Sequence, residues 1–312
     1  MKETIVFGKI FLLCKNRKNN MPTKAQIEKY NKALMKKLSV FLNLESDYIK
    51  EQTVEKIARE CDLDRQDAYM YLLASAMYMN LSENEEDREL FELYFPDMVR
   101  ELDPSDYESD PYMLEIYLDD VKCGDWEIKT GKYAPYEAFV HDDFKYCLDS
   151  RVIAQIGYFP REYNYPVVYQ NGREWMLITP NEINTMKKPI SLSHGKVLTF
   201  GLGLGYFAFM TARRDNVESV TVVERDESVI ELFEKHIRDQ IADKDKIRII
   251  RADAFDYAEH EMAVEGYDFV FADIWHDPSD GVELYKKFKS LENLMPNAEY
   301  YYWIEETLKY YM

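Results

Sequence analysis

The sequence has few cysteines and no long apolar run, and each absence excludes a class of protein. Four cysteines stand far apart among 312 residues, with no C-x-x-C pair. This spacing suits neither a disulfide framework nor a zinc site, so we predict free thiols in a reducing cytoplasm. The apolar runs fall well short of the roughly 18–20 residues that a transmembrane helix needs, and we expect no membrane partner.

Positive charge is also scarce. The chain has 39 lysines and arginines against 58 aspartates and glutamates, which gives a formal net charge of −19. Phosphate binding relies on clustered basic side chains, so we expect no nucleic-acid partner, whereas a cationic substrate is compatible with this balance. His141 is followed by two adjacent aspartates with no second histidine nearby, and we predict no metal site.

The stretch 5–14 resembles the apolar centre of a short signal sequence. Lys9 interrupts it, and no small-residue cleavage site follows. We expect an ordered strand or an N-terminal extension here, and a second start at Met21 is an alternative.

Residues 23–95 have the pattern of a helical module. Thr23 and Gln26 form a capping-box signature, and apolar residues then recur at helical spacing. Residues 57–68 loosely resemble a helix-turn-helix, but Arg65 is the single cation of its second helix, which favours packing over DNA contact. An acidic, turn-rich junction follows, and we predict a helical N-terminal module over residues 1–110.

Residues 111–190 change to a β-rich pattern. Asn171-Gly172 separates two β-rich runs, which is a strong hairpin signal. A helix is predicted to begin near Pro180. We therefore predict a small β-layer with a connecting helix that leads into the next domain.

Residues 191–312 alternate between strand and helix patterns with short loops. The predicted strands are 197–200, 219–223, 247–250, 267–272 and 300–304. This alternation predicts βαβ units, and thus an α/β fold with a doubly wound, mostly parallel, Rossmann-like sheet.

Candidate binding residues follow the predicted strands, where such sheets bind ligands. They are Gly201, Gly203 and Gly205 after the first strand, Glu224 after the second, Asp253 and Ala254 after the third, and Asp273 and His276 after the fourth. Glycines permit a tight turn and a close ligand, and a carboxylate in the position of Glu224 can accept hydrogen bonds from ribose hydroxyls. Tyr206 stands where a dinucleotide fingerprint needs its third glycine, so a nucleoside without phosphates is favoured.

Each of these residues also has a purely structural alternative. The glycines could serve strand–helix packing alone. Glu224 could be an acid at a helix start, and Asp253 could cap the helix that follows it.

The order and spacing of these residues resemble class I S-adenosylmethionine-dependent methyltransferases. Within that superfamily the layout over about residues 165–304 is most similar to spermidine synthases. The resemblance implies S-adenosylmethionine, or its decarboxylated form, as cofactor. It places the glycine turn at the amino-acid end of the cofactor, Glu224 at the ribose, and Asp253 with Ala254 beside the adenine.

The resemblance also implies a role for Asp273, since in polyamine synthases an acid after the fourth strand binds and deprotonates the attacking amine. Several positions depart from the family patterns. In the synthase glycine turn, Leu204 replaces the acid and Leu202 replaces the second glycine. Asp277-Pro278 comes one residue later than in the synthase motif after the fourth strand, and Thr199 stands where ordinary methyltransferases usually have an acid.

The expected function is methyl transfer to an unidentified small-molecule or protein acceptor. Asp273 is the candidate catalytic residue, with His276 and Tyr206 as weaker helpers. The alternatives are spermidine synthase-like aminopropyl transfer and a non-catalytic nucleoside-binding or interaction protein. We expect a cytoplasmic protein and leave a homo-oligomer open.

Overall fold

The computed structural model describes residues 22–44, 46–118, 120–123 and 125–312. The expectations for the stretch 5–14 and for a start at Met21 lie outside these residues.

Helices and strands are numbered here in chain order. The α-helices are α1 (Lys24–Leu44), α2 (Glu51–Cys61), α3 (Arg65–Ala76), α4 (Glu85–Met98), α5 (Pro104–Glu108), α6 (Pro111–Glu115), α7 (Pro180–Leu192), α8 (Tyr206–Ala212), α9 (Glu227–His236), α10 (Ala254–His260), α11 (Met262–Glu265), α12 (Pro278–Lys289) and α13 (Glu305–Tyr311). The strands are β1 (Val99–Glu101), β2 (Val121–Cys123), β3 (Trp126–Tyr133), β4 (Phe139–Tyr146), β5 (Val152–Tyr158), β6 (Tyr163–Gln170), β7 (Arg173–Leu177), β8 (Gly195–Phe200), β9 (Val217–Glu224), β10 (Ile247–Arg251), β11 (Phe269–Ala272) and β12 (Glu299–Tyr302).

Contacts divide the chain into two compact units. The first contains the residues up to Pro104 together with Lys132–Tyr163, and the second contains Ser105–Gly131 and Asn164–Met312. Strands β4 and β5, predicted for the middle module, thus group with the N-terminal helices. The three-part division at residues 110 and 190 stays a prediction.

The first unit combines α1 to α4 with a three-stranded sheet in the order β1-β5-β4. The predicted capping box is present, because Thr23 N donates to Gln26 Oε1 at 2.9 Å and Gln26 N donates to Thr23 Oγ1 at 3.3 Å. Helix α3, the second helix of the helix-turn-helix pattern, has eight buried residues among its twelve. A recognition helix needs an exposed face for the DNA groove, so α3 has the character of a packing helix.

The second unit contains a four-stranded sheet, β2-β3-β6-β7, and a five-stranded sheet, β10-β9-β8-β11-β12. The predicted hairpin joins β6 to β7 through Asn171 and Gly172, whose φ angles of 52° and 79° suit a two-residue hairpin turn.

All pairs in the five-stranded sheet are parallel, which confirms the predicted doubly wound, Rossmann-like fold. Strand β8 lies between β9 and β11, so the strand order reverses beside it. Both β8 and β11 are deeply buried, as expected for a parallel sheet covered on both faces. The last strand ends at Tyr302 rather than near Ile304, because Ile304 adopts a φ of 45° as the N-cap of α13.

Among the described helices, none combines the length and the apolar content that crossing a bilayer requires. The cytoplasmic location stays a prediction.

Candidate functional site

A cavity of about 420 Å³ lies in the second unit, where β8, β9, β10 and β11 end. This is the switch point of the parallel sheet, where ligands of such folds bind. The predicted site residues on its wall are Gly201, Gly203, Glu224, Asp253, Ala254, Asp273 and His276.

The glycine turn needs its glycines for two different reasons. Gly201 has a φ of 95°, and an added Cβ would collide with the carbonyl oxygen of Asp273. It therefore lets the turn lie directly against the end of β11. Gly205 has a φ of 77° and packs on the Phe233 ring rather than on the cavity, so its predicted contact with a cofactor stays a prediction.

Glu224 fixes this turn through its carboxylate. Oε2 accepts from Leu202 N at 3.1 Å, and Oε1 accepts from Arg225 N at 2.8 Å and from Asp226 N at 2.9 Å. A carboxylate offers about four acceptor positions, so these bonds leave roughly one for a ribose hydroxyl. The structure thus gives Glu224 a positioning role, and the ribose contact stays a prediction.

Asp253 caps helix α10, as the structural alternative anticipated. Its Oδ1 accepts from Phe255 N at 2.9 Å and from Asp256 N at 3.2 Å. Both bonds end on the same oxygen, so Oδ2 is not used by the cap. Capping is therefore compatible with the predicted contact between this part of the wall and an adenine.

Two tyrosines link the segment 104–115 to the glycine turn. Tyr112 donates its hydroxyl to the carbonyl oxygen of Leu204 at 2.6 Å, and Tyr206 donates to Asp110 Oδ2 at 2.9 Å. Burial raises the pKa of Asp110, although hydrogen bonds from Tyr112 N and the Tyr206 hydroxyl oppose the rise. Tyr206, a weaker helper in the sequence analysis, thus uses its hydroxyl to hold the turn in place.

Sequence reasoning missed Glu182, which lies in the first turn of α7 and on the cavity wall beside Asp273. Burial raises the pKa of Asp273 to about 7. Burial, and then the charge of Asp273, raise the pKa of Glu182 well above its usual range. An acid in a first helical turn is common for dipole reasons, so its position in the sequence does not reveal a site.

Three aromatic side chains of the wall, Trp126, Trp175 and Trp303, were also missed, whereas Trp275 was expected after the fourth strand, where a substrate would enter. The chain has four tryptophans, and all four line the cavity: Trp126, Trp175, Trp275 and Trp303. Trp126 and Trp175 meet edge to face with their rings 6.2 Å apart, and the His276 ring lies 5.7 Å from Trp175. Indole faces can stack on a base or attract a cation.

The charge of the wall is strongly negative. Its carboxyl side chains are Glu182, Glu224, Asp226, Asp253, Asp273 and Asp280, and its guanidinium is that of Arg225. Across the part of the chain that the structure describes, no three His, Cys, Asp or Glu side chains are grouped to hold a metal ion. The excess of carboxyl groups over cations on the wall suits a cationic ligand.

Residues 182–295 match the spermine/spermidine synthase domain family. This match confirms the predicted resemblance over that segment, which includes the glycine turn and all the predicted site residues. No curated protein sequence matches the chain.

Three solved structures illustrate the likeness. A precorrin-8w decarboxylase from Methanobacterium thermoautotrophicum is 17% identical, with 35% of this chain and 54% of that chain covered and a TM-score of 0.27. A protein assigned as an O-methyltransferase from Klebsiella pneumoniae is 15% identical, with 30% and 41% covered and a TM-score of 0.24. A spermidine synthase in complex with the transition-state analogue AdoDATO is 21% identical, with 35% and 39% covered and a TM-score of 0.28. The chain spans about half the length of these proteins or less.

Proposed function

We propose that the protein transfers an alkyl group from an S-adenosyl sulfonium donor to the nitrogen of an amine. The observation that carries this proposal is the cavity at the switch point, whose wall combines six carboxyl groups with four tryptophans and one guanidinium. An amine is cationic at neutral pH, and carboxylates and indole faces both attract cations.

The residues present fit the nucleoside part of such a donor. Gly201 keeps the turn free of a side chain at the end of β8, and Glu224 retains acceptor capacity beside it. When bound, the donor supplies an electrophilic carbon attached to sulfur, together with a neutral thioether as leaving group.

The task of the chain is then to orient the acceptor nitrogen and to remove its proton. Alignment of two reactants is itself a large part of such catalysis. Asp273 suits the proton transfer, because burial raises the pKa of its carboxyl to about 7, near the pH at which a base works best. We therefore propose Asp273 as the general base and expect the rate to rise with pH through about 7.

The charge of the wall favours aminopropyl transfer from decarboxylated S-adenosylmethionine. The carboxylate of S-adenosylmethionine would add an anion to a wall that already holds six carboxyl groups against one guanidinium, whereas the decarboxylated donor adds none. The matched synthase domain supports the same choice. Methyl transfer is the second candidate, because Leu204 leaves the glycine turn without the acid that the synthase pattern has there.

One experiment separates the candidates by their by-products. The protein is incubated with each donor and a set of primary amines, with the corresponding alcohols as neutral controls. Aminopropyl transfer to an amine releases methylthioadenosine, and methyl transfer releases S-adenosylhomocysteine. We expect methylthioadenosine with amines only, and its loss in Asp273→Asn. Binding of both donors without turnover of any amine would instead support the non-catalytic alternative and contradict the proposal.

A further inference from the structure

Glu182 and Asp273 are two acidic side chains that line the same cavity. Neither residue forms an ion pair with a lysine, arginine or histidine among the described residues. Helix α7, which carries Glu182, is held in place because Trp303 Nε1 donates to Thr185 Oγ1 at 3.1 Å. Glu182 therefore stands on a helix that is tied to the end of the sheet, on the same cavity wall as Asp273.

The electrostatics of the pair keep a proton in the cavity. Two carboxyl groups that interact in a desolvated site cannot both ionise near neutral pH, and they titrate as one system with two steps. Burial raises the pKa of both groups, and the charge of Asp273 adds to the rise at Glu182. The other titratable groups on the wall are Tyr206, Glu224, Arg225, Asp226, Asp253, His276 and Asp280. None of them is a cause of either shift.

A second observation points to a polar ligand. Thr199 and Trp275 line the same cavity and are 2% and 5% exposed. Thr199 Oγ1 and Trp275 Nε1 have no hydrogen-bond partner within the described structure. A buried polar atom left without a partner costs about 1–3 kcal/mol, so a ligand that satisfies such atoms gains affinity.

We propose that Glu182 is the second acid of the site and that it binds a cationic nitrogen together with Asp273. The proposal rests on the proposed function and deepens it. Helix α7 would thereby supply an acid to a site whose glycine turn carries Leu204 in place of one.

The two acids have different roles in the transfer step. The acceptor ammonium gives one proton to the Asp273 carboxylate, and the freed electron pair on nitrogen forms the new N–C bond. The C–S bond breaks, and its electrons remain on sulfur, which leaves as a neutral thioether. Glu182 keeps its proton throughout, so the pair carries one negative charge before the transfer and none after Asp273 has accepted the proton.

The test follows the carboxyl groups by carbon-13 NMR of protein labelled at aspartate and glutamate side chains. We expect the carboxyl signals of wild type to show one titration step near pH 7 and a second step well above pH 7. The upper step should be lost in Glu182→Gln and should move to lower pH in Asp273→Asn, because the charge of Asp273 then no longer adds to the effect of burial on the pKa of Glu182. Glu283→Gln is the matched control, since Glu283 is an exposed partner of Lys286 outside the cavity, and it should keep both steps.

The ligand arm uses n-propylammonium as the probe and n-propanol as its neutral match. A cation beside the pair should lower the apparent pKa of the upper step by about 1, and the alcohol should leave it in place. The proposal is overturned if wild type shows no upper step. It is also overturned if n-propylammonium lowers the apparent pKa of that step no more than n-propanol does. This readout needs no turnover, so a protein that transfers no alkyl group but passes both arms would refute the proposed function alone.

Discussion

Replacing Asp273 by asparagine should change how the stability of the second unit depends on pH. The substitution keeps the size of the side chain and removes the ionisable group. Burial raises the pKa of Asp273 from 3.8 to about 7, which is a difference of about three pKa units. At about 1.36 kcal/mol per unit, ionising this group in the folded protein costs up to about 4 kcal/mol, and water in the cavity reduces that cost.

The sign follows from proton linkage. Between pH 4 and 7 the folded state binds this proton and the unfolded state has released it, so stability falls as the pH rises. The loss is complete above about pH 7, where both states are ionised. Asp273→Asn has no such group. Its free energy of unfolding should therefore rise relative to that of wild type by up to about 4 kcal/mol between pH 4 and 8.

Urea denaturation at several pH values measures this difference. Tryptophan fluorescence reports on the second unit, because all four tryptophans lie there. Parallel stability curves for wild type and Asp273→Asn across this range would refute the reasoning, since they would show that the carboxyl is not buried in the folded state.

Two further substitutions test the glycine turn. Gly201→Ala should lower the free energy of unfolding by more than about 2 kcal/mol, because the added Cβ collides with the residue after β11 and the φ of this position is unfavourable for alanine. Gly172→Ala has the same unfavourable kind of φ, 79°, but open space around it, so it should cost about 1 kcal/mol. Urea denaturation measures both. Tyr112→Phe should cost about 1–3 kcal/mol because it leaves the Leu204 carbonyl without its donor, and a stability equal to that of wild type would show that this hydrogen bond contributes nothing.

Local patterns in the sequence were sufficient to predict most of the fold of the second unit. The hairpin at Asn171-Gly172 follows from two residues that tolerate positive φ, and the parallel sheet follows from alternating periodicity. The residues after the strand ends meet at one cavity because the carboxyl ends of parallel strands share one edge of a sheet.

The rest depends on contacts between distant segments. Glu182 stands in a helical first turn, where an acid is usually a solvent-exposed dipole partner, and tertiary packing decides that it lines the cavity. The four tryptophans come from separate segments, from Trp126 at the start of β3 to Trp303 directly after β12, and no local pattern brings them together. The capping role of Asp253 was anticipated, since it needs only backbone N–H groups within the three residues that follow it.

Calorimetry with S-adenosyl compounds tests the central claim most directly. S-adenosylmethionine, its decarboxylated form, S-adenosylhomocysteine and methylthioadenosine are titrated into wild type and Glu224→Ala. We expect wild type to bind the decarboxylated donor and methylthioadenosine, and Glu224→Ala to bind them about 10- to 100-fold more weakly, since hydrogen bonds to a charged group contribute about 1.5–3 kcal/mol. Equal binding by Glu224→Ala would contradict the ribose contact. Binding of none of the four compounds to wild type would contradict the claim that this cavity is an S-adenosyl nucleoside site.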